Sequence, residues 1–321
     1  MPYLLEKSAS MINEVTLGAT QADGGARTGV IKLGGQSSLP YQSYEGANPN
    51  RAVVAIEVLD REPAEWSETL KAAWGGVLSD PVAWAKKAVE LGAEMIYLKL
   101  ESIDPDNGGR SVDDCVKTVG DVLGAVGCPL AVQGCGVDEF DKPLLTQVAE
   151  AYKGENLLIG LAAQENYATL TASCVANGHT LISCAPLDIN ICKQTNILIG
   201  EMNMPLDRVV IDPTIGGLGY GMEYAYSILE RGRLGSLQGD KMLSMPVMGF
   251  VGAEAWKAKE ANATEEDFPK WGKREDRGIL WEVVTATTLL QSGLDLLVMR
   301  HPAAMKTVQE HIALLMEPVN A

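Results

Sequence analysis

The stretch VVAIEVLD at residues 53–60 decides the fold, because it is short and almost continuously apolar, as a strand buried on both faces must be. Seven similar segments follow it, and amphipathic segments of helical length lie between them. This alternation is typical of β–α–β units on a parallel sheet, and eight such units predict a (β/α)8 TIM barrel. The predicted strands are Val53–Leu59, Met95–Leu100, Pro129–Gln133, Leu157–Leu161, Thr180–Cys184, Arg208–Ile211, Met245–Met248 and Leu294–Met299.

The helical segments between the strands carry recognisable ends. Ser79-Asp80-Pro81 places a capping residue before a proline in the first helical turn, and Gly92 supplies a stop. A doubly wound sheet would have a glycine fingerprint after its first strand, but the sequence here is Asp60-Arg61-Glu62-Pro63. A barrel of this class uses about 250 residues, so the chain length permits one large domain.

Residues 1–50 differ from the rest of the chain, since glycines separate two strand-like pieces, Glu14–Leu17 and Gly29–Leu33. This pattern predicts an N-terminal β-hairpin extension, followed by the barrel over residues 51–321. Two roles remain open for the hairpin. It is either a plug over the bottom of the barrel or an arm that docks a partner subunit.

Composition excludes several classes of function. The net charge of −16 repels phosphate backbones, so nucleic acid is not an expected partner. No apolar run approaches the roughly 18 residues that span a bilayer, and we expect a cytoplasmic protein without membrane contact. The six cysteines form no C-x-x-C pair, which favours free thiols over a disulfide scaffold, a zinc site or an iron–sulfur cluster.

Candidate functional residues lie on the loops after the strands, where barrels of this kind carry their chemistry. The densest loop is DPTIGGLGYG at residues 212–221, whose four glycines let the backbone approach a ligand closely. It lacks the lysine of a phosphate-binding P-loop. The pattern therefore favours packing against a large planar ligand or a partner over phosphate binding.

Acidic residues at the same face form a second candidate group. Asp60, Glu101 and Asp212 follow strands that project into a common basin, which would suit general acid and base groups. Capping of loops and helices is the competing interpretation, because no lysine or histidine obviously partners them. His301 is the one histidine at this face, and a structural role is favoured for it. No catalytic residue and no metal ligand is therefore predicted.

Four long segments resemble the small subunit of the corrinoid/iron–sulfur protein of the reductive acetyl-CoA pathway, which is the delta subunit family of the acetyl-CoA decarbonylase/synthase complex. The segments are AVQGCGVDEFDKPLL (131–145), NLLIGLAAQENY (156–167), SCAPLDINICKQTNIL (183–198) and DPTIGGLGYGMEYAYS (212–227). The similarity extends over the whole chain. Several specific segments in the same order are stronger evidence than a single motif.

The resemblance implies a non-catalytic barrel in a heterodimer that carries a methyl group on the cobalt of cobalamin, a corrinoid. Such a heterodimer receives the methyl group from a methyltetrahydrofolate methyltransferase and delivers it to acetyl-CoA synthase. The large subunit would supply the iron–sulfur cluster and the corrinoid-binding domain, and the barrel would cover the cobalamin at the subunit interface. The chain fits this division, since it has neither a four-cysteine motif nor a D-x-H-x-x-G corrinoid loop.

Loop position and side-chain chemistry then predict which residues face the corrin, which is broad, apolar and fringed by amides. Amides, small hydroxyls and glycines suit it better than charges. The predicted cofactor-binding residues are Gln164, Asn166, Leu187, Asp188, Asn190, Thr214, Gly216 and Gly217. An alternative is a pterin-dependent methyltransferase that binds methyltetrahydrofolate itself, with Asp60, Asn166, Asn190 and Asp212 around the pterin ring.

Overall fold

The computed structural model describes residues 5–317 and contains a nearly closed barrel of eight parallel strands, which confirms the predicted fold. The barrel strands are β3 (Val53–Leu59), β4 (Met95–Lys99), β5 (Leu130–Gln133), β6 (Leu158–Ala162), β7 (Thr180–Cys184), β8 (Val209–Asp212), β9 (Met248–Gly249) and β10 (Leu296–Met299). The strand order is β8-β7-β6-β5-β4-β3-β10-β9, and a bridge between Ile211 and Val247 links the two edges.

Helices surround the barrel, and their ends follow the predicted signals. The Asp80 side chain accepts hydrogen bonds from the Val82 and Ala83 amides, with Pro81 in the first turn of α2. The helices are α1 (Glu68–Trp74), α2 (Pro81–Glu90), α3 (Val112–Ala125), α4 (Asp138–Ala151), α5 (Tyr167–Asn177), α6 (Ile189–Glu201), α7 (Met222–Leu237), α8 (Val251–Lys257), α9 (Lys259–Asn262), α10 (Arg274–Ser292) and α11 (Pro302–Leu315). In the described part of the chain, no helix combines the length and apolarity needed to cross a membrane.

The seventh barrel strand is shorter than predicted. It begins at Met248 rather than Met245, because Pro246 has no amide proton and the Val247 amide donates to the Asp295 carboxylate at 2.9 Å. Asp295 returns a backbone hydrogen bond to the Val247 carbonyl at 2.7 Å. The Val247 amide thus donates to a side chain and not to a backbone carbonyl of a neighbouring strand.

The predicted hairpin consists of β1 (Val15–Leu17) and β2 (Ile31–Leu33), which pair antiparallel. Val15, Leu17 and Leu33 are fully buried against the apolar barrel interior. Gly18 approaches Pro129, just before β5, and the Asn156 side-chain amide donates to the Thr16 carbonyl at 2.8 Å, just before β6. The hairpin therefore plugs the end of the barrel at which the strands begin. The division of the chain at residue 50 stays a prediction, because hairpin and barrel share one core.

Candidate functional site

A ring of polar and aromatic side chains lines the opposite end of the barrel, where the strands stop. Side chains alternate along each strand, so the residues two positions beyond the apolar interior point inward as well. We call this set the mouth ring, and it consists of Glu57, Lys99, Gln133, Cys184, Asp212, Phe250 and Arg300. Burial of such groups costs free energy unless they are paired, so their concentration here marks a candidate site.

The first part of the mouth ring is an ion pair between Arg300 and Glu57, whose atoms lie 2.6 Å apart. Glu57 is fully buried, and its second carboxylate oxygen has no hydrogen-bond partner among the described residues. Burial raises the pKa of Glu57, but the charges of Arg300 and Lys99 outweigh this effect and leave the pKa below its ordinary value. The Arg300 guanidinium also lies over the Trp66 ring, 4.9 Å from its centroid.

Tyr97 lies just beneath the mouth ring, inside the barrel. Its hydroxyl donates to the Gln133 side-chain carbonyl at 2.9 Å, and its ring meets Phe250 edge-on at 5.1 Å. Burial raises the pKa of Tyr97 well above its ordinary value, and the carboxylates of Asp212 and Glu57 add to this shift. Tyr97 is therefore a neutral hydrogen-bonding group at the floor of the mouth.

Asp212 occupies the far side of the mouth ring and is almost completely buried. Its carboxylate accepts hydrogen bonds from the Thr214 amide at 2.9 Å and from the Cys184 thiol at 3.7 Å. Burial raises the pKa of Asp212 to about 6, despite the Thr214 hydrogen bond. Burial likewise raises the pKa of Cys184 to about 12, so this thiol stays protonated.

Uncharged side chains stand on the loops above the mouth ring. Leu187 and Thr214 both have left-handed backbones, with φ values of 49° and 57°. Their loops are joined by a hydrogen bond of 2.8 Å from the Leu187 amide to the Pro213 carbonyl. Such conformations are strained in branched or bulky residues and concentrate at functional sites. We call five exposed, uncharged side chains on these loops the rim side chains: Val137, Gln164, Leu187, Asn190 and Thr214.

Two predicted cofactor-binding residues, Asn166 and Asp188, form side-chain hydrogen bonds to other groups of the chain. The Asn166 side chain accepts a hydrogen bond from the Ala163 amide at 2.8 Å and donates to Asp138 at 2.9 Å. Asp188 caps α6 and accepts from the Asn190 amide at 2.7 Å. These contacts shape the loops that carry the rim side chains, whereas Gln164, Leu187, Asn190 and Thr214 are exposed.

Gly216 and Gly217 are buried, and close backbone contacts within the protein explain why both positions are glycine. A Cβ on Gly216 would lie 2.7 Å from the Tyr220 carbonyl oxygen, and one on Gly217 would lie 3.0 Å from the Glu254 carbonyl oxygen. The glycines thus let the 212–221 loop fold back on itself and pack against α8. Their predicted corrin contacts stay a prediction, and substitutions there would disturb the loop itself.

The acidic residues Asp60, Glu101 and Asp212 do not form one acid–base group. Asp60 accepts hydrogen bonds from the amide and hydroxyl of Ser102, outside the barrel interior, and burial raises its pKa. Glu101 pairs with Arg61 at 2.7 Å and with Lys99 at 3.0 Å. Among the three, only Asp212 belongs to the mouth ring, so the capping interpretation applies to Asp60.

His301 has the structural role that the sequence favoured. One of its ring nitrogens accepts a hydrogen bond from the Ala303 amide at 3.1 Å and caps α11. The ring stacks on Trp256 with centroids 5.9 Å apart, and burial lowers the pKa of His301 to about 4. The Glu282 carboxylate accepts from the Trp256 indole at 2.8 Å and from the Arg300 amide at 2.6 Å, which fixes the backbone beside the mouth.

Sequence reasoning missed Glu57, Tyr97 and Lys99. Each lies inside a strand that was treated as apolar, although Glu57 interrupts VVAIEVL and Lys99 ends MIYLK. An ionisable residue at an inward position of a buried strand is the signal that would have found them. The six cysteines are unpaired, and residues 5–317 contain no cluster of three or more metal-ligating side chains.

Comparison with known proteins gives one family and one fold. A family model described as CO dehydrogenase/acetyl-CoA synthase delta subunit matches residues 14–313. The acetyl-CoA decarbonylase/synthase complex subunit delta of Archaeoglobus fulgidus is 38% identical over 316 residues, covering 96% of this chain and 69% of the relative. The corresponding Methanopyrus kandleri subunit is 35% identical over 308 residues, covering 95% of this chain and 76% of that relative.

Among solved structures, the barrel resembles dihydropteroate synthases. The enzyme of Xanthomonas albilineans with 4-aminobenzoic acid has a TM-score of 0.58 at 15% identity, covering 87% of this chain and 98% of that one. The enzyme of Stenotrophomonas maltophilia with active-site-bound imidazole has a TM-score of 0.57 at 15% identity, covering 88% and 100%. At such low identity the likeness concerns the fold alone.

Proposed function

Because this chain belongs to the family of the CO dehydrogenase/acetyl-CoA synthase delta subunit, we propose that it is the barrel subunit of a corrinoid/iron–sulfur methyl carrier. The resemblance of the four quoted segments to this family is thereby confirmed. In this role the chain covers a cobalamin that a larger partner subunit binds. It stands between a methyltetrahydrofolate methyltransferase, which supplies the methyl group, and acetyl-CoA synthase, which accepts it.

The observation that carries the proposal is the contrast between the rim side chains and the mouth ring. Val137 and Leu187 are 40% and 42% exposed, although both are large and apolar. Gln164 and Asn190 add exposed amides, and Thr214 adds a hydroxyl. These five side chains are uncharged and include a few hydrogen-bonding groups, which suits an apolar macrocycle fringed by amides; exposed charged residues such as Glu165 stand beside them on the same loops.

Within this proposal the chain holds and shields rather than reacts. When bound, the corrinoid supplies a cobalt centre that carries the methyl group. The rim side chains bind the face of the macrocycle, and the two strained loops at Leu187 and Thr214 fix the positions of these residues. The plugged bottom of the barrel and the apolar interior keep water from reaching the mouth from below.

A charge placed at Leu187 tests the proposal. Leu187→Asp introduces a residue type that tolerates left-handed backbone and sets a carboxylate against the apolar macrocycle. We expect the affinity for the cobalamin-loaded partner subunit to fall by about tenfold, or about 1.4 kcal/mol, in calorimetric titrations. Leu314→Asp is the matched control, since Leu314 is 63% exposed on the outer helix α11. Equal affinities of the two variants would contradict the placement of the corrin.

The alternative function, a barrel that binds methyltetrahydrofolate itself, draws support from Asp212, a buried carboxylate in the mouth. Two members of its predicted pterin set are occupied elsewhere, because Asp60 binds Ser102 and Asn166 binds its own loop. Calorimetry of the isolated chain with methyltetrahydrofolate separates the two functions. Micromolar binding would favour the methyltransferase, and absence of heat favours the carrier subunit.

A further inference from the structure

Asp212 differs from Glu57, the other carboxylate of the mouth ring, because Asp212 forms no ion pair within residues 5–317. Glu57 pairs with Arg300, Glu101 pairs with Arg61 and Lys99, and Asp60 has Arg110 at 3.8 Å. Within residues 5–317, no lysine or arginine forms an ion pair with Asp212. Its two hydrogen-bond donors, the Thr214 amide and the Cys184 thiol, are both uncharged.

The titratable groups that surround Asp212 also supply no positive charge. They come from four elements: Cys184 on β7, Cys192 on α6, Tyr97 on β4 and Glu254 on α8. Burial raises the pKa of both thiols to about 12, and the pKa of Tyr97 is well above 10, so these groups stay neutral. Glu57, which acts on the same Tyr97, is neutralised by Arg300. The two cations of the mouth ring are paired elsewhere, Arg300 with Glu57 and Lys99 with Glu101, so neither forms an ion pair with Asp212.

The position of Asp212 lets that charge act on whatever covers the mouth. Asp212 ends β8 inside the mouth ring, and the rim side chain Thr214 follows it by two residues. Buried charges interact strongly across a low-dielectric interior, since little water screens them. The carboxylate can therefore act on a covering group through the interior without touching it. Asp212, whose exposed fraction is 2%, would act in this way.

We propose that Asp212 is a proton-dependent charge beneath the covered cofactor, which opposes electron uptake by the cobalt while ionised and binds a proton when the cobalt is reduced. This inference rests on the proposed function. In the step, one electron passes from a one-electron reductant to the cobalt, and one proton passes from solvent to the Asp212 carboxylate. The coupling is reciprocal, because a charge that hinders reduction is itself more readily protonated after reduction.

Burial raises the pKa of Asp212 to about 6, so Asp212 exchanges its proton within the pH range of the titration described below. Above this pKa the carboxylate is ionised and the reduction potential of the cobalt is low. As pH falls through this pKa, Asp212 takes up its proton and the potential rises towards that of a mouth without the charge. A neutral substitution of Asp212 removes the charge that the native carboxylate carries above its pKa, so it should raise the cobalt potential at alkaline pH only.

The test is a spectroelectrochemical titration of the Co(II)/Co(I) couple in the reconstituted heterodimer, from about pH 5 to about pH 8. With the native chain, the midpoint potential should become more negative as pH rises. With Asp212→Asn, the potential should be independent of pH and more positive than the native value at about pH 8. Asp60→Asn is the matched control, since Asp60 is bound by Ser102 outside the mouth ring, and it should follow the native profile.

Two outcomes would overturn the inference, and they have different consequences. If Asp212→Asn follows the native profile while the native chain still alters the cobalt spectrum on binding, only the role of Asp212 is wrong. If the native chain leaves the cobalt spectrum unchanged, the proposed function fails together with the inference about Asp212.

The Asp212→Asn variant is expected to stay folded. Burial raises the pKa of the native Asp212, so the ionised carboxylate destabilises the folded chain above about pH 6, and asparagine removes this charge. Urea unfolding of Asp212→Asn at alkaline pH should accordingly show higher stability than the native chain.

Discussion

Arg300→Met is expected to lower the free energy of unfolding by about 3–5 kcal/mol, because it leaves the charge of Glu57 buried without its partner. Glu57 is fully buried, and its second oxygen already lacks a hydrogen bond among the described residues. The pKa of Glu57 is below its ordinary value, so the stabilisation is present near neutral pH and is lost as pH falls through the folded pKa. Urea unfolding followed by tryptophan fluorescence measures the effect.

Arg61→Met is the control for this prediction. Arg61 also pairs with carboxylates at the mouth, but it lies nearer the solvent and its partner Glu65 is exposed. Its removal should cost no more than about 1 kcal/mol. The double variant Glu57→Gln with Arg300→Met should recover part of the loss, because no unpaired charge remains. Equal losses for Arg300→Met and Arg61→Met would show that the Glu57 pair is not the buried interaction described here.

Leu17→Ala is expected to destabilise the chain by about 2–5 kcal/mol, since it opens a cavity where the hairpin plugs the barrel. Leu17 is fully buried and packs with Leu33 against the interior strands. The measurement is again urea unfolding, and Val30→Ala is the control because Val30 is 40% exposed on the same extension. If both variants lost the same small amount, the hairpin would be an appendage rather than part of the barrel core.

Strands, helix ends and the hairpin were predictable because their signals are local. The run 53–59 is apolar throughout except for Glu57, and Asp80 with Pro81 marks a helix start in three residues. The late start of β9 was not predictable in this way. It depends on the Asp295 carboxylate, which reaches the Val247 amide from a strand 48 residues further along the chain.

The sequence predicted the end of the barrel that carries the candidate site, but it did not predict the role of each residue there. Loop position correctly assigned Leu187, Asn190 and Thr214 to the face where the strands end. It could not separate them from Asp188, because a capping side chain and a ligand-binding side chain have the same residue type at the same place. Asp212 was a candidate from the sequence, but its neighbours in the mouth ring were not predicted, because which inward side chains meet depends on the closure of all eight strands.

The central claim is that the mouth of this barrel covers a cobalamin held by another polypeptide. The most direct test is a visible absorption titration, in which this chain is added to the isolated, cobalamin-loaded partner subunit and metal content is measured on the purified product. We expect the cobalt spectrum to change until the two chains are equimolar, the complex to retain cobalt, and Leu187→Asp to weaken the response. A spectrum that does not change, or one that changes equally with Leu187→Asp and with the native chain, would contradict the claim.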